Sequence, residues 1–580
     1  MLLDTIKNPD DLKKLSVEQL DTVASEIREG LFNRLTKKGG HFGPNFGFVE
    51  GTIALHYVFN SPEDKFVLDV SHQCYPHKML TGRAYGFFDE TKFKEISGYT
   101  NPEESPHDIF NIGHTSTSVS LACGLAKARD LMGTKENIIA VIGDGSLSGG
   151  EALEGLDFAG EQTTNFIIVV NDNDMSIAEN HGGLYKNLRQ LRQTKGQCSN
   201  NFFKAMGLDY IYVDKGNHIP SLIEAFKKVK DIDHPIVVHI NTIKGCGYKP
   251  AEDNKEIWHW TSPFNRETGE RPSGSGENYN SMTAEFLLKL MEKDSSVAMV
   301  CPAVPSNFGF NKANRDKAGK QFIDTGIAEE HAIALVSGMA KKGAKAVFGT
   351  HSSFIQRTYD QLNQDLCINK SPATLLVNTA SVWGMNDITH LGIFDIPLMS
   401  NIPELVYLAP TNCEEYFAMM AWSLEQTEHP VAIRMPCNGV HHTMAPVEKD
   451  YSRLNKNLVT QDGNEIAIFA LGDFFQLGEK TADYIERQTG KKPTLINPRY
   501  ISGLDTELLQ SLKKNHTKVV TLEDGILDGG YGQKIACFYG ADSMKVYNFG
   551  LKKEFLDRYD PNQVLKENHL TPELIWEDIK

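Results

Sequence analysis

The chain has 580 residues, 40% of them hydrophobic, and a formal charge of −16, so it is too long for one core and divides into about three or four domains. The acidic balance argues against general affinity for nucleic acid or anionic membranes, and neither the charged N-terminus MLLDTIKNPDDLKKLS nor any apolar run of 18 residues reads as a signal peptide or membrane span. Nine scattered cysteines without a CxxC pair fit neither a disulfide framework nor a zinc site, so the expectation is a soluble, cytoplasmic protein with reduced thiols and small-molecule partners.

From about residue 110 to 245 the strand-like runs NIIAVIGDG, NFIIVVNDND and PIVVHINT alternate with the helix-like runs GGEALEGLDFAG and HIPSLIEAFKKVKD, the pattern of a parallel sheet covered by helices. The polar stretch from Phe264 to Met282 has no hydrophobic periodicity and reads as a linker. A second block follows, with a helix from about Glu329 to Lys342, a strand KAVFGT, a helix SFIQRTYDQL, and strands in ATLLVNTA, LVYLAP and PVAIRMP. After about Lys456 a shorter block (EIAIFALGD, KPTLINPR, KVVTLEDG) alternates again and ends in the helix-like LTPELIWEDIK. The fold class is therefore α/β, with mostly parallel sheets in three domains, 1–279, 280–450 and 451–580.

The sharpest local signal lies in VIGDGSLSGGEALEGLDFAGEQTTNFIIVVNDND. One strand ends at Gly143-Asp144-Gly145, a helix follows, and the next strand ends at Asn171-Asp172-Asn173, one βαβ unit later. Adjacent parallel strands would bring Asp144 and Asn173 to the carboxyl edge of the sheet, where ligands bind in open α/β folds, and the small residues at the following helix N-terminus favour a phosphate. One carboxylate with one amide oxygen suits Mg²⁺, which takes few protein ligands and completes its octahedron with diphosphate oxygens and water.

This GDG…N pattern resembles a thiamine diphosphate signature. GGHFGPNFGFVEGTIALHYVF, DVSHQCYPHKMLTGR, GHTSTSVS, NDNDMSIAEN, KGCGYKPAE, GIAEEHAIALVSGMA and SSFIQRTYDQ are each similar to 1-deoxy-D-xylulose-5-phosphate synthases, relatives of transketolase, from about Leu35 to Pro436 and more weakly beyond. The resemblance implies a transketolase-like fold with a diphosphate-binding first domain, a pyrimidine-binding second domain and a C-terminal third, the cofactor held between the first two, and a homodimer. It implies thiamine diphosphate and Mg²⁺ as cofactors. Asp144, Asn173 and the carbonyl of Met175 would ligate the metal, Gly145 and Ser146 would lie near the diphosphate, and His72, Gly113, His114, Thr115 and Tyr248 would surround the cofactor. Glu329 matches the family's glutamate at N1′ of the aminopyrimidine, where a placed proton-transfer group contributes about 10²- to 10⁴-fold, and Phe354 matches the aromatic packed on that ring. His41, His259, His390 and Arg357 fall on positions that hold the donor and shuttle protons, tasks suited to an imidazole titrating near neutrality and a bidentate guanidinium.

Three departures concern the acceptor. The family reads DRAG where this chain has Asn378-Thr379-Ala380-Ser381, and PRGN where it has Pro436-Cys437-Asn438, so two arginines that grip the acceptor's phosphate are replaced by Thr379 and Cys437. Each charge-assisted bond so lost is worth roughly 1.5–3 kcal/mol. Arg434 is open to two readings, a substitute phosphate ligand or a strand arginine facing solvent. The segment from Asn180 to Phe202 is far shorter than the long mobile stretch the family carries there, and His351 and Asn386 stand where tyrosine and aspartate are usual. The expected reaction is decarboxylation of pyruvate, or another 2-oxo acid, with transfer of a two-carbon unit to an aldehyde, either glyceraldehyde 3-phosphate or a different acceptor. The competing readings are a transketolase-type enzyme with a ketose donor and a cofactor-binding pseudoenzyme.

Overall fold

The computed structural model describes residues 1–272 and 276–580. Contacts gather the chain into two compact units, one of residues 1–275 with 326–328, the other of residues 276–325 with 329–580. Residues 273–275, inside the stretch read as a linker, lie outside the described residues. The linker reading is too long on both sides. Phe264 is buried with its ring centroid 4.8 Å from that of Trp258, and helix Tyr279–Met291 opens on an Asn278 cap, because one aromatic ring and one capping residue suffice to fix segments that carry no periodicity.

The first unit is built on a five-stranded, all-parallel sheet in the order Lys65–Leu68, Ile138–Gly143, Phe166–Asp172, Pro235–Asn241, Asp209–Val213. Its inner strands are apolar runs because both faces are covered. Ile139, Val141, Ile167 and Val169 point into one core, while Ile138, Ala140, Ile142, Ile168 and Val170 point into the other, the alternation a strand imposes. The two outermost strands escaped the sequence reading, being short and, at Lys65 and Asp209, polar and more accessible.

The second unit carries two sheets. The first is six-stranded and parallel, in the order Val406–Leu408, Val431–Arg434, Thr374–Asn378, Lys345–His351, Val297–Cys301, Phe322–Asp324. The other runs Leu458–Gln461, Thr494–Asn497, Glu465–Ala470, His516–Ile526, Lys545–Leu551, with only its first pair antiparallel. Phe348, Val377 and Tyr407 from the former share a core with Phe469, Ile496 and Val519 from the latter. The stretch SFIQRTYDQL is not one helix: a 3₁₀ turn at Gln356–Thr358 interrupts it, where the Thr358 hydroxyl donates to the Ile355 carbonyl at 2.6 Å and competes with the regular ladder.

Neither reading of Arg434 holds. The side chain is buried between the two sheets, donating from Nε to Asp395 (2.8 Å) and from Nη1 to Asp524 (2.6 Å), with the Tyr407 hydroxyl donating to the same Asp395. Two carboxylates close to a strand end take up the guanidinium's donors, leaving it neither a phosphate ligand nor a solvent-facing group.

Candidate active site

Strands Ile138–Gly143 and Phe166–Asp172 are direct neighbours with Gly143 opposite Asn171, so the turns that follow them emerge side by side at the carboxyl edge of the first sheet. Asp144 is buried, its Oδ2 accepting from the Met175 N–H at 3.1 Å and from Asn180 Nδ2 at 2.7 Å. Burial, and then the neighbouring Asp172 carboxylate, push the Asp144 carboxyl up to about 8, so ionising it without a cation is costly. The buried Oδ1 of Asn173 has no hydrogen-bond partner, an oxygen that normally finds one. An unsatisfied amide oxygen beside a carboxyl that resists ionisation suits a hard divalent cation, and the residues present therefore fit Mg²⁺.

Gly145 is required by close approach: a Cβ there would lie 2.7 Å from Ser176 Cβ. The Gly113-His114-Thr115 loop continues into Ser116 and Ser118, whose N–H groups both donate to buried Asp69 (2.9 and 3.0 Å), and the Ser116 hydroxyl donates to the Ser146 carbonyl at 2.8 Å. Asp69 thus ties that loop to the Gly145-Ser146 turn, a role that motif reading passed over.

The shortened segment after Asn180 folds into helix Gly183–Gln193 and packs on the turns that carry Gly145 and Asp174. The Tyr185 hydroxyl donates to the Gly145 carbonyl (3.1 Å), and Arg192 Nη1 donates to both oxygens of Asp172 (2.7 Å each) while Nη2 reaches Asp174 (2.6 Å). His239 Nε2 meets Asp172 from the other side at 2.8 Å. No role was read from sequence for Asn180, Tyr185, Arg192 or His239, although Asn180 closes NDNDMSIAEN and His239 lies in PIVVHINT.

Three histidines from distant parts of the sequence come together in the same unit. The two-residue strands Gly40–His41 and Trp260–Thr261 pair antiparallel, and Asn45 Nδ2 donates to the carbonyls of both His41 and His72. Ring centroids of His41, His72 and His259 are 5.0–5.7 Å apart. Burial, together with the Lys244 ammonium and the other two imidazoles, holds His259 well below the ordinary histidine range, so it is neutral at physiological pH. Tyr248 does not join them. Its ring packs among Phe32, Phe42, Trp258 and Phe264, and its hydroxyl donates to the Arg266 carbonyl.

In the second unit, Glu329 is the first residue of helix Glu329–Lys341 and is buried. Burial pushes its carboxyl up to about 7 although Arg357 Nη1, 3.8 Å from Oε2, pulls the other way. His351, Phe354 and His390 form an edge-to-face group, with centroids of 5.0 Å and 5.5 Å about Phe354. Thr379, at φ 54°, shares a hydrogen bond of 2.8 Å with His351 Nδ1. The Cys437 N–H donates to the Asp473 carboxylate at 2.8 Å. The positions read as former arginines thus meet an imidazole and a carboxylate.

All nine cysteines are free thiols, and among the described residues no helix is long and apolar enough to cross a membrane. The family model for 1-deoxy-D-xylulose-5-phosphate synthase matches residues 3–199 and 189–242, that for the transketolase pyrimidine binding domain residues 277–440, and that for the transketolase C-terminal domain residues 455–575. The fold is accordingly transketolase-like. Proteins called 1-deoxy-D-xylulose-5-phosphate synthase are similar along their whole length. That of Brevibacillus brevis is 36% identical over 614 residues, covering 99% of this chain and 97% of the other. That of Caldanaerobacter subterraneus subsp. tengcongensis is 36% identical over 626 residues, covering 100% and 98%, and that of Desulforudis audaxviator is 34% identical over 611 residues, covering 98% and 96%. The chain belongs to the 1-deoxy-D-xylulose-5-phosphate synthase family of transketolase-type transferases, which work with thiamine diphosphate and a divalent metal ion.

Proposed function

We propose that this chain decarboxylates pyruvate and transfers the resulting two-carbon unit to a short aldehyde that carries no phosphate, acting as a cytoplasmic homodimer. The observation that carries the reading is Glu329, a buried carboxyl that titrates at about 7 in a chain with full-length family similarity. Thiamine diphosphate supplies the electron sink for decarboxylation and carbon–carbon bond formation.

In this reading Asp144, Asn173 and the Met175 carbonyl hold Mg²⁺, and Gly145, Ser146 and the Gly113-His114-Thr115 loop take the diphosphate. Glu329 exchanges a proton with the aminopyrimidine N1′, a task for which a pKa near the working pH is the most effective. Phe354 offers a ring face to the pyrimidine. His41 and neutral His259 accept or donate hydrogen bonds at the donor carbonyl, and Arg357 pairs with the pyruvate carboxylate. His390, beside Phe354, completes the polar surroundings. The choice of an unphosphorylated acceptor is supported by Thr379 and Cys437, which bring no positive charge to the positions of the family's two arginines.

Carboxyl-labelled pyruvate tests the donor. With thiamine diphosphate, Mg²⁺ and an aldehyde present, labelled CO₂ release is the expected result, and turnover that begins only with a ketose donor refutes it. A panel of matched aldehydes then reads the acceptor: a kcat/KM for glyceraldehyde above that for glyceraldehyde 3-phosphate is expected, and the opposite order returns the chain to the phosphorylated substrate.

A further inference from the structure

Away from every residue discussed so far, three chain segments of the second unit converge on one imidazole. Helix Cys413–Glu425 begins on the Asn412 cap, and the Cys413 N–H donates to the His441 carbonyl at 2.8 Å, which brings the 441–443 loop against the first helical turn. His442 then stands with Nδ1 2.7 Å from Glu414 Oε1 and Nε2 2.8 Å from Glu277 Oε2. One ligand atom each from Cys413, Glu414 and His442 lies within 4.8 Å of the others. The Cys413 side chain is almost fully buried, at 4% exposed, while Glu414 and His442 stay open enough for an ion to enter.

We propose that Cys413, Glu414 and His442 bind a zinc ion, with Glu277 accepting from the far nitrogen of the imidazole and water completing a tetrahedron. The donor set makes the selection: thiolate and imidazole favour Zn²⁺ over Mg²⁺ or Ca²⁺, and tetrahedral N, S and O ligation is the usual zinc arrangement. Glu277 carries the argument beyond the cluster itself, because a zinc-bound histidine characteristically gives its second N–H to a carboxylate, which fixes the tautomer and turns the free lone pair toward the metal. Here Glu277 Oε2 lies 2.8 Å from Nε2 and Glu414 Oε1 lies 2.7 Å from Nδ1, so zinc would take the place of the proton shared between Nδ1 and Glu414 while Glu277 keeps its hydrogen bond to Nε2. The thiol proton leaves to solvent as the zinc–sulfur bond forms, with no change in oxidation state. Sequence spacing hides the site, since its ligands come from a helix start and from a loop about 30 residues later, with no CxxC or HxxxH. The ion would clip together three separate pieces of backbone, residues 277, 413–414 and 442.

The test uses the full-length protein with Mg²⁺ and thiamine diphosphate bound, loaded with CoCl₂ as a spectroscopic stand-in for Zn²⁺ and passed through a desalting column. One retained equivalent of cobalt with a thiolate-to-metal charge-transfer band is expected, displaced by ZnCl₂. Cys413→Ser should abolish the band, His442→Gln should weaken Zn²⁺ binding at least tenfold in a competition titration with a chromophoric chelator, and Glu277→Gln should weaken it roughly tenfold. Because His442 is half-exposed, its replacement keeps the fold and reads binding alone. No retained cobalt, or a band that survives Cys413→Ser, would overturn the assignment and leave His442 as an imidazolium paired with two carboxylates.

Discussion

A carboxyl group in the first turn of a helix ordinarily ionises at about 4 and gains from the helix dipole, yet at Glu329 burial outweighs both the dipole and Arg357 and pushes the group up to about 7. In the folded chain the carboxyl keeps its proton through a pH range in which the unfolded chain has lost it. Stability contributed by that proton is therefore full below about 4.5 and is lost as pH rises toward 7. Glu329→Gln keeps the shape without the charge. It should cut kcat by about 10²- to 10⁴-fold, and should stabilise the cofactor-free protein by up to about 3 kcal/mol at pH 8 relative to pH 5. Thermal melts of both proteins at the two pH values, beside a turnover assay, check the pairing. At this scale the GDG…N spacing was legible because a βαβ unit turns spacing into adjacency. The perturbed carboxyls were not legible, because they depend on neighbours such as Asp172 and on burial that no motif records. The packing of the Tyr248 ring among Phe32, Phe42, Trp258 and Phe264 was likewise not legible in its motif.

Helix Gly183–Gln193 is the element in which the sequence reading lost most. Its length marked a shortened rim, but nothing in the pattern announced that Tyr185 and Arg192 would reach Gly145, Asp172 and Asp174. Arg192 holds Asp172 and Asp174 at once, and removing one partner of a buried pair leaves a charge uncompensated. Arg192→Met should lower unfolding free energy by about 3 kcal/mol and weaken Mg²⁺ binding. Urea unfolding and a Mg²⁺ titration read the two effects, and a helix that merely rests on the surface would change neither. Most interior strands, by contrast, were legible, since β-branched runs such as FIIVVND have no other stable place than between two apolar layers, although Val297–Cys301, buried inside the second sheet, went unread. Edge strands such as Phe322–Asp324 and Leu458–Gln461 are short and half polar, and only pairing defines them.

At the scale of the whole molecule, the alternation of strands and helices gave the α/β class and three sheets, whereas the joint between the last two sheets was invisible to it. That joint includes Arg434, read from sequence as a phosphate ligand or a solvated side chain and found between Asp395 and Asp524. Arg434→Met leaves both carboxylates buried without their cation and should cost about 3–5 kcal/mol, measured by guanidinium unfolding, with the ranking of acceptor aldehydes unchanged.

The same arginine constrains the evolutionary and engineering routes open to this enzyme. A guanidinium committed to holding two sheets together cannot be recruited for a phosphate without loosening the body that carries Glu329 and Phe354. If the acceptor is unphosphorylated as proposed, a change to phosphorylated aldehydes would require new charge at positions 379 and 437. An arginine introduced at 437 arrives beside Asp473 and forms an ion pair there before it meets any substrate. Position 379, facing His351 instead of a carboxyl group, would on the proposed reading be the more open of the two positions for an added charge.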